Sequence, residues 1–202
     1  MFTKILKSIR VFASDPMCAD LEKKGYSVES QVWAASFDLY SDEQLVLMKE
    51  RYISTLSRMY EVKKIGCEYL EAVYALKMMN AKTEFHFLGE GDRAPTLPEL
   101  AQEWKKNTVF FGAFDGKLLI GVLETKLNVD RVELSYLHVD PERRHEGIAT
   151  GLTSFAILYW ANEGVKHFAA FGDQNIPQRQ EVLEHLGFNS HDQLRKYVGS
   201  EV

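Results

Sequence analysis

Cysteine is nearly absent. The 202 residues hold two, Cys18 and Cys67, and neither sits in a C-x-x-C pair or at a metal-ligand spacing. A disulfide-stapled scaffold and a zinc ribbon are therefore not expected, no metal is expected, and a reducing, cytoplasmic compartment is the simpler inference. A long apolar run is also missing. The opening MFTKILKSIRVF is basic and amphipathic, with no acid before Asp15, but it is too broken by charge for a signal peptide or a membrane span. Such a segment is expected as a terminal helix packed on its own protein, although it could also touch a membrane surface. Basic charge is not in excess either. The formal net charge is −5 and the sequence pI about 5.7, which argues against a general nucleic-acid-binding role, since neutralising phosphates needs a basic surface.

What is present is an ordinary globular composition, 46% apolar and 12% aromatic, enough for one packed domain or a domain with an extension. The charge is uneven. Residues 1–80 carry 11 Lys/Arg and 11 Asp/Glu, whereas residues 81–202 carry 13 and 18. An acidic second half would weakly favour a cationic partner such as an amine, and ordinary solubility explains it equally well. The periodicity also changes near Ala81. Upstream, Leu45, Met48, Tyr52, Leu56 and Met59 recur at steps of three and four, as do Val62, Ile65, Tyr69, Val73 and Leu76. This predicts a helical N-terminal extension over residues 1–80, its stripe serving as core or as a homodimer surface. Downstream, strands are predicted over residues 83–88, 109–114, 118–127, 131–139, 167–171 and 194–198. Helices are predicted over 96–106, 147–162 and 178–186. Asp115-Gly116 marks a hairpin turn, and Gly164 and Gly187 follow helix ends. The predicted order is β-α-β-β-β-α-β-α-β, an α/β mixed sheet with helices on its faces.

The chemistry is concentrated in residues 139–149, VDPERRHEGIA. A strand ends at Val139, an arginine-rich turn follows, and Gly147 opens an apolar helix. The first turn of a helix has unpaired N–H groups and a partial positive charge, so it suits a phosphate. Gly147 and the small Ala149 leave room for a ligand close to the backbone, and Arg143 and Arg144 are potential donors to phosphate oxygens. The pattern is neither G-x-x-x-x-G-K-[ST] nor G-x-G-x-x-G, so a nucleoside triphosphatase or a Rossmann dehydrogenase is not supported.

Leu137-His138-Val139-Asp140-Pro141 followed by Arg144-x-x-Gly147-x-Ala149, with Leu186-Gly187-Phe188 further on, resembles the coenzyme A signature of the GNAT acetyltransferase superfamily. The resemblance covers about residues 82–200, and residues 1–80 have no evident counterpart. It implies acetyl-coenzyme A as cosubstrate. Main-chain groups of Leu137, His138 and Val139 would pair with the pantetheine arm, and an N–H near Leu137 would face the thioester oxygen. Main-chain groups of Arg144, His145, Glu146, Gly147, Ile148 and Ala149 would hold the diphosphate. Asn175 resembles an asparagine of the family's last segment.

An N-acetyltransferase needs a base, because an alkylammonium has a pKa near ~10. Glu133, four residues before Leu137, falls where the histone-acetylating branch keeps its base glutamate. Pairing with a neighbouring strand cation is the alternative for that side chain. Glu124 and Asp173 are substitutes. His138 alternates with Leu137 and is expected on the opposite face. Many members carry a general-acid tyrosine where this chain has Leu183. The expected activity is acetyl transfer to a primary amine of a small molecule, peptide or protein. A non-catalytic acyl-coenzyme A-binding module and a synthase taking longer acyl donors are the other readings.

Overall fold

Strands as well as helices build the first part of the chain. The computed structural model describes residues 6–12, 15–56, 60–84, 96–104, 108–173 and 177–200. It begins β1 (Leu6–Phe12), α1 (Met17–Lys23), β2 (Ser27–Asp38), α2 (Asp42–Leu56), β3 (Glu61–Ile65) and α3 (Leu70–Glu84). There follow α4 (Leu97–Glu103), β4 (Thr108–Asp115), β5 (Leu118–Asn128), β6 (Arg131–Val139), α5 (Ile148–Asn162), β7 (His167–Asp173), α6 (Pro177–His185) and β8 (Asn189–Ser200). All eight strands join one mixed sheet in the order β1-β8-β2-β7-β6-β5-β4-β3. Only β6 and β7 run parallel among these pairs; the others are antiparallel.

Two expectations need correction. Residues 1–80 are not a helical extension, because three strands lie there, and the boundary expected near Ala81 falls inside α3. β1 and β2 take their hydrogen-bond partners from β7 and β8, far along the chain, and a tertiary ladder of this kind overrides a weak local pattern. In β3, Val62 and Ile65 are both buried, and their spacing of three mimics a helical step. Extended Gly66 and a 3₁₀ turn at Cys67–Tyr69 then separate β3 from α3. The strand expected over residues 83–88 also fails at its start, since Thr83 and Glu84 end α3. Residues 85–88 lie outside the described residues.

The sheet separates two apolar layers. On one face α5, α2 and α6 cover Phe111, Ala113, Leu123, Val132, Leu134 and Phe168. Tyr52 of α2 meets Phe155 of α5 with ring centroids 5.2 Å apart. On the other face α3 and α4 cover Ile65, Phe110, Phe114, Leu119 and Val122 through Val73, Leu76 and Leu100. Thr96 and Glu99 cap α4 reciprocally, the Thr96 N–H donating to Glu99 Oε2 at 2.7 Å. Helix α5 is the anchor of the site. Its Ile148, Leu152, Ala156 and Ile157 are buried, and burying each Leu or Ile contributes roughly 1.5–3 kcal/mol. A Cβ at Gly121 of β5 would lie 2.8 Å from Ile148 Cγ2 and 3.0 Å from Leu152 Cδ1, so glycine there lets the start of α5 press onto the sheet. Cys18 and Cys67 form no disulfide with each other. No helix among the described residues is long and apolar enough to cross a membrane.

Candidate active site

The turn between β6 and α5 is built from both of its ends. The Asp140 N–H donates to the Ile120 carbonyl at 2.8 Å, which fixes the end of β6 on β5. Asp140 Oδ1 accepts from the Glu142 N–H at 3.0 Å and starts a 3₁₀ turn at Pro141–Arg143. His145 (φ 65°) and Gly147 (φ 81°) are both left-handed. Glycine takes that conformation without penalty, whereas histidine carries a strain of about 1 kcal/mol or more. Gly147 is the N-cap of α5, no side chain caps the helix there, and its first turn holds no acidic residue. Ile148 is buried, Gly147 and Ala149 are half-buried, and Arg144 and His145 are exposed. The Thr153 hydroxyl donates to the Ala149 carbonyl at 2.9 Å.

Arg143 has partners within the protein that its sequence context did not show. Its guanidinium turns toward its own protein. It donates to Asp115 at 2.8 Å, to the Tyr60 hydroxyl at 2.8 Å and to Glu146 at 3.3 Å. The Tyr60 hydroxyl in turn donates to the same Glu146 oxygen. Hydrogen bonds to Tyr60, Asp115 and Glu146 raise the Arg143 pKa above the ordinary guanidinium value. With two carboxylates already on it, Arg143 ties the turn to the β4–β5 hairpin and to the residue preceding β3.

At the other end of this region, β6 and β7 part. Their ladder runs from Arg131↔His167 to Leu134↔Ala170, although β6 continues to Val139 and β7 to Asp173. A wedge therefore opens between them past Leu134. The register of β6 against β5 also shifts here, from Thr125↔Leu134 to Glu124↔Tyr136, leaving Ser135 as the bulge residue. The bulge sets the faces. Leu134, Leu137 and Val139 pack with the α5 layer. Tyr136 lies under the Lys77 ammonium of α3, 4.1 Å from its ring centre. The His138 ring, buried, stacks on Tyr136 at 6.0 Å.

Glu133 sits on the last paired rung but one of the β6–β7 ladder, opposite Ala169, and opposite Lys126 on β5. It is half-buried. The Ser135 hydroxyl donates to its Oε1 at 3.3 Å and Asn128 Nδ2 approaches its Oε2 at 3.5 Å. Glu124 is differently placed. It is fully buried, with Lys77 Nζ 2.8 Å from Oε2 and Lys126 Nζ 3.2 Å from Oε1. Burial works against the charge of Lys126, but Glu124, Glu103 and Glu133 outweigh it and raise its pKa. Both oxygens of Glu124 are thus engaged, which leaves Glu133 the more accessible carboxylate of the pair.

Leu183 is buried in the α5 layer, and the Phe188 N–H donates to its carbonyl at 3.0 Å. That position offers no proton to a leaving group. Asp173 ends β7, opposite Val32 of β2. Asn175 lies outside the described residues. Tyr60 and Lys77 were not singled out from the sequence, and Asp115 only as a turn residue. Lys77 had a signal: it stands four residues after Val73, on the buried stripe of α3, where a lysine requires a partner.

Comparison with known proteins agrees with this fold. The family model described as "Acetyltransferase (GNAT) family" matches residues 75–188. No curated protein matches the chain. Among solved structures, a GCN5-related N-acetyltransferase from Sphaerobacter thermophilus superposes with TM-score 0.66 at 12% identity, covering 98% of this chain and 60% of that one. A tandem GNAT protein from the clavulanic acid biosynthesis pathway gives 0.67 at 14%, covering 96% and 64%. This chain therefore spans less than two thirds of the length of either. An N-acetyltransferase from Thermoplasma acidophilum in complex with coenzyme A gives 0.54 at 18%, covering 68% and 97%. With the family model spanning more than half of its length, this chain belongs to the GNAT acetyltransferase family.

Proposed function

We propose that the chain transfers an acetyl group from acetyl-coenzyme A to a primary amine, with Glu133 as the base. The observation that carries this is the wedge. The β6–β7 ladder stops at Leu134↔Ala170, one rung past Glu133, and the far end of β6 runs through the turn into the start of α5 at Gly147. A cosubstrate lying along β6 would have its diphosphate at residues 144–149 and its pantetheine arm beside residues 137–139. The same placement would bring its thioester near Leu137 and Glu133. The coenzyme A bound to the Thermoplasma relative supports this choice. An acetyl group, rather than a longer acyl chain, is our reading of the donor.

The acceptor approaches from the face of α3 and α4, where Glu133, Tyr136 and His138 lie. Glu133 takes a proton from the ammonium, directly or through one water. The freed amine attacks the thioester carbon, and the N–H at Leu137 faces the oxygen that becomes negative. The carbon–sulfur bond then breaks, and the surplus proton of the attacking nitrogen passes to the departing thiolate or to water. A thiol pKa near ~8.5 lets the sulfur leave as thiolate without a side-chain acid, which is consistent with Leu183. Small amines, peptide N-termini and protein lysines all meet these requirements. Two cysteines that do not pair with each other fit a reducing, cytoplasmic setting.

The test is thiol release from acetyl-coenzyme A with a panel of amines. Glu133→Gln is expected to lower kcat/KM by about a hundredfold near pH 7, as for loss of a general base, while coenzyme A affinity is kept. The deficit shrinks as the pH approaches ~10, where the amine loses its proton unaided. Equal turnover by the variant at neutral pH would remove Glu133 from the mechanism.

A further inference from the structure

Glu146 is out of place in a diphosphate cradle. It is an acid immediately before the N-cap of α5, where an anionic ligand would bring like charge. A helix start attracts any nearby carboxylate, so an unrestrained Glu146 would reach for the N–H groups of the first turn and occupy them itself. The structure shows what restrains it. Glu146 Oε2 accepts from both the Tyr60 hydroxyl and Arg143 Nε, and Arg143 is anchored by Asp115 at the end of β4. The Arg143 guanidinium also lies 5.4 Å from the centre of the Tyr60 ring. His145, with its left-handed backbone, sits between the two clamped residues, and a strained residue persists only where its surroundings hold it. Tyr60 lies before residues 75–188, the part matched by the family model.

We infer that Tyr60, Arg143 and Asp115 form a clamp whose task is to keep the Glu146 carboxylate off the start of α5, so that the turn stays open to the diphosphate of coenzyme A. The inference rests on the reading of that turn as the coenzyme A site. Arg143 acts here as a positioning residue through Glu146, and does not itself contact phosphate. The clamp therefore matters because Glu146 is charged, and this distinguishes it from direct phosphate binding by Arg143.

Coenzyme A affinity is measured by calorimetry for the wild type, Arg143→Gln, Glu146→Gln and the double variant. Tyr60→Phe is measured as a milder break of the clamp, and thermal melting of each ligand-free protein separates unfolding from lost affinity. Arg143→Gln is expected to weaken binding about tenfold, equivalent to ~1.4 kcal/mol. In the Glu146→Gln background the same substitution is expected to change affinity less than about twofold. Amide hydrogen exchange at the start of α5 in the ligand-free protein is expected to slow in Arg143→Gln, because the released carboxylate takes up those N–H groups, and this reads the clamp independently of ligand. An equal penalty in both backgrounds makes Arg143 a direct phosphate ligand and overturns the clamp, as does unchanged affinity in Arg143→Gln. Absence of coenzyme A binding by the wild type overturns the site itself.

Discussion

Replacing Glu124 with leucine is expected to lower unfolding free energy by about 3–5 kcal/mol, the cost of leaving a buried charge without its partner. For a chain of this length that is a fall of roughly 10 °C in melting temperature. The reason is Lys77. Its side chain is 2% exposed and its ammonium lies between Glu124, the Tyr136 ring and the Phe110 ring. Without the carboxylate only the two ring faces remain, and a desolvated contact of this kind is worth about 2 kcal/mol. Lys126 fares better, since its side chain is 35% exposed and its ammonium can turn to water. The double variant Lys77→Met/Glu124→Leu is expected to regain most of the loss, because an apolar pair of similar volume replaces a buried ion pair at little cost. Calorimetric melting of the three proteins checks this, and a single variant melting with the wild type would refute it. Lys126 adds a pH limit. Its raised pKa means that its stabilising contribution is full below the ordinary lysine value and is lost as pH climbs through the raised one. Neutral and acidic conditions leave that contribution intact.

Gly147→Asp is expected to abolish measurable coenzyme A binding, a loss of at least about a hundredfold or ~3 kcal/mol, with the fold kept. Aspartate tolerates the left-handed region better than most side chains, and as an N-cap it hydrogen-bonds the first-turn N–H groups itself. The substitution costs about 1 kcal/mol at the left-handed Gly147 backbone while filling the cradle with a carboxylate. The pairing of a nearly retained melting temperature with lost affinity is the signature to look for. Unchanged affinity by calorimetry would place the diphosphate elsewhere.

The second half of the chain was legible because its signals are local. Arg131–Val139 is recognisable from β-branched and aromatic residues between a turn and Pro141, and α5 from an apolar face bounded by Gly147 and Glu163-Gly164. The strands of residues 6–65 were not legible, since their partners lie far along the chain and the spacing of Val62 and Ile65 fits a helix as well as a strand. Within the site, the backbone turn followed from sequence and the side-chain traffic did not. The contacts of Arg143 with Tyr60 and Asp115 depend on neighbours that the sheet brings beside it. The bulge at Ser135, which gives Glu133 and Leu137 opposite faces, depends on register between strands, and register is set by pairing that a single strand does not encode.

The position of β2 has a consequence for how the molecule comes into being. β2 lies between β7 and β8, so the far wall of the wedge is held by a strand from far earlier in the sequence. Asp38 of β2 meets His167 of β7 across 129 positions of sequence, through a 2.8 Å side-chain contact. β2 must therefore wait for more than a hundred further residues before either edge is satisfied, and closing so long a loop costs entropy that no local contact returns. Folding of this kind is slow and ends late. A chain stopped before β7 carries the cradle residues on β6 and α5 but has no opposing wall against which a pantetheine arm could be held.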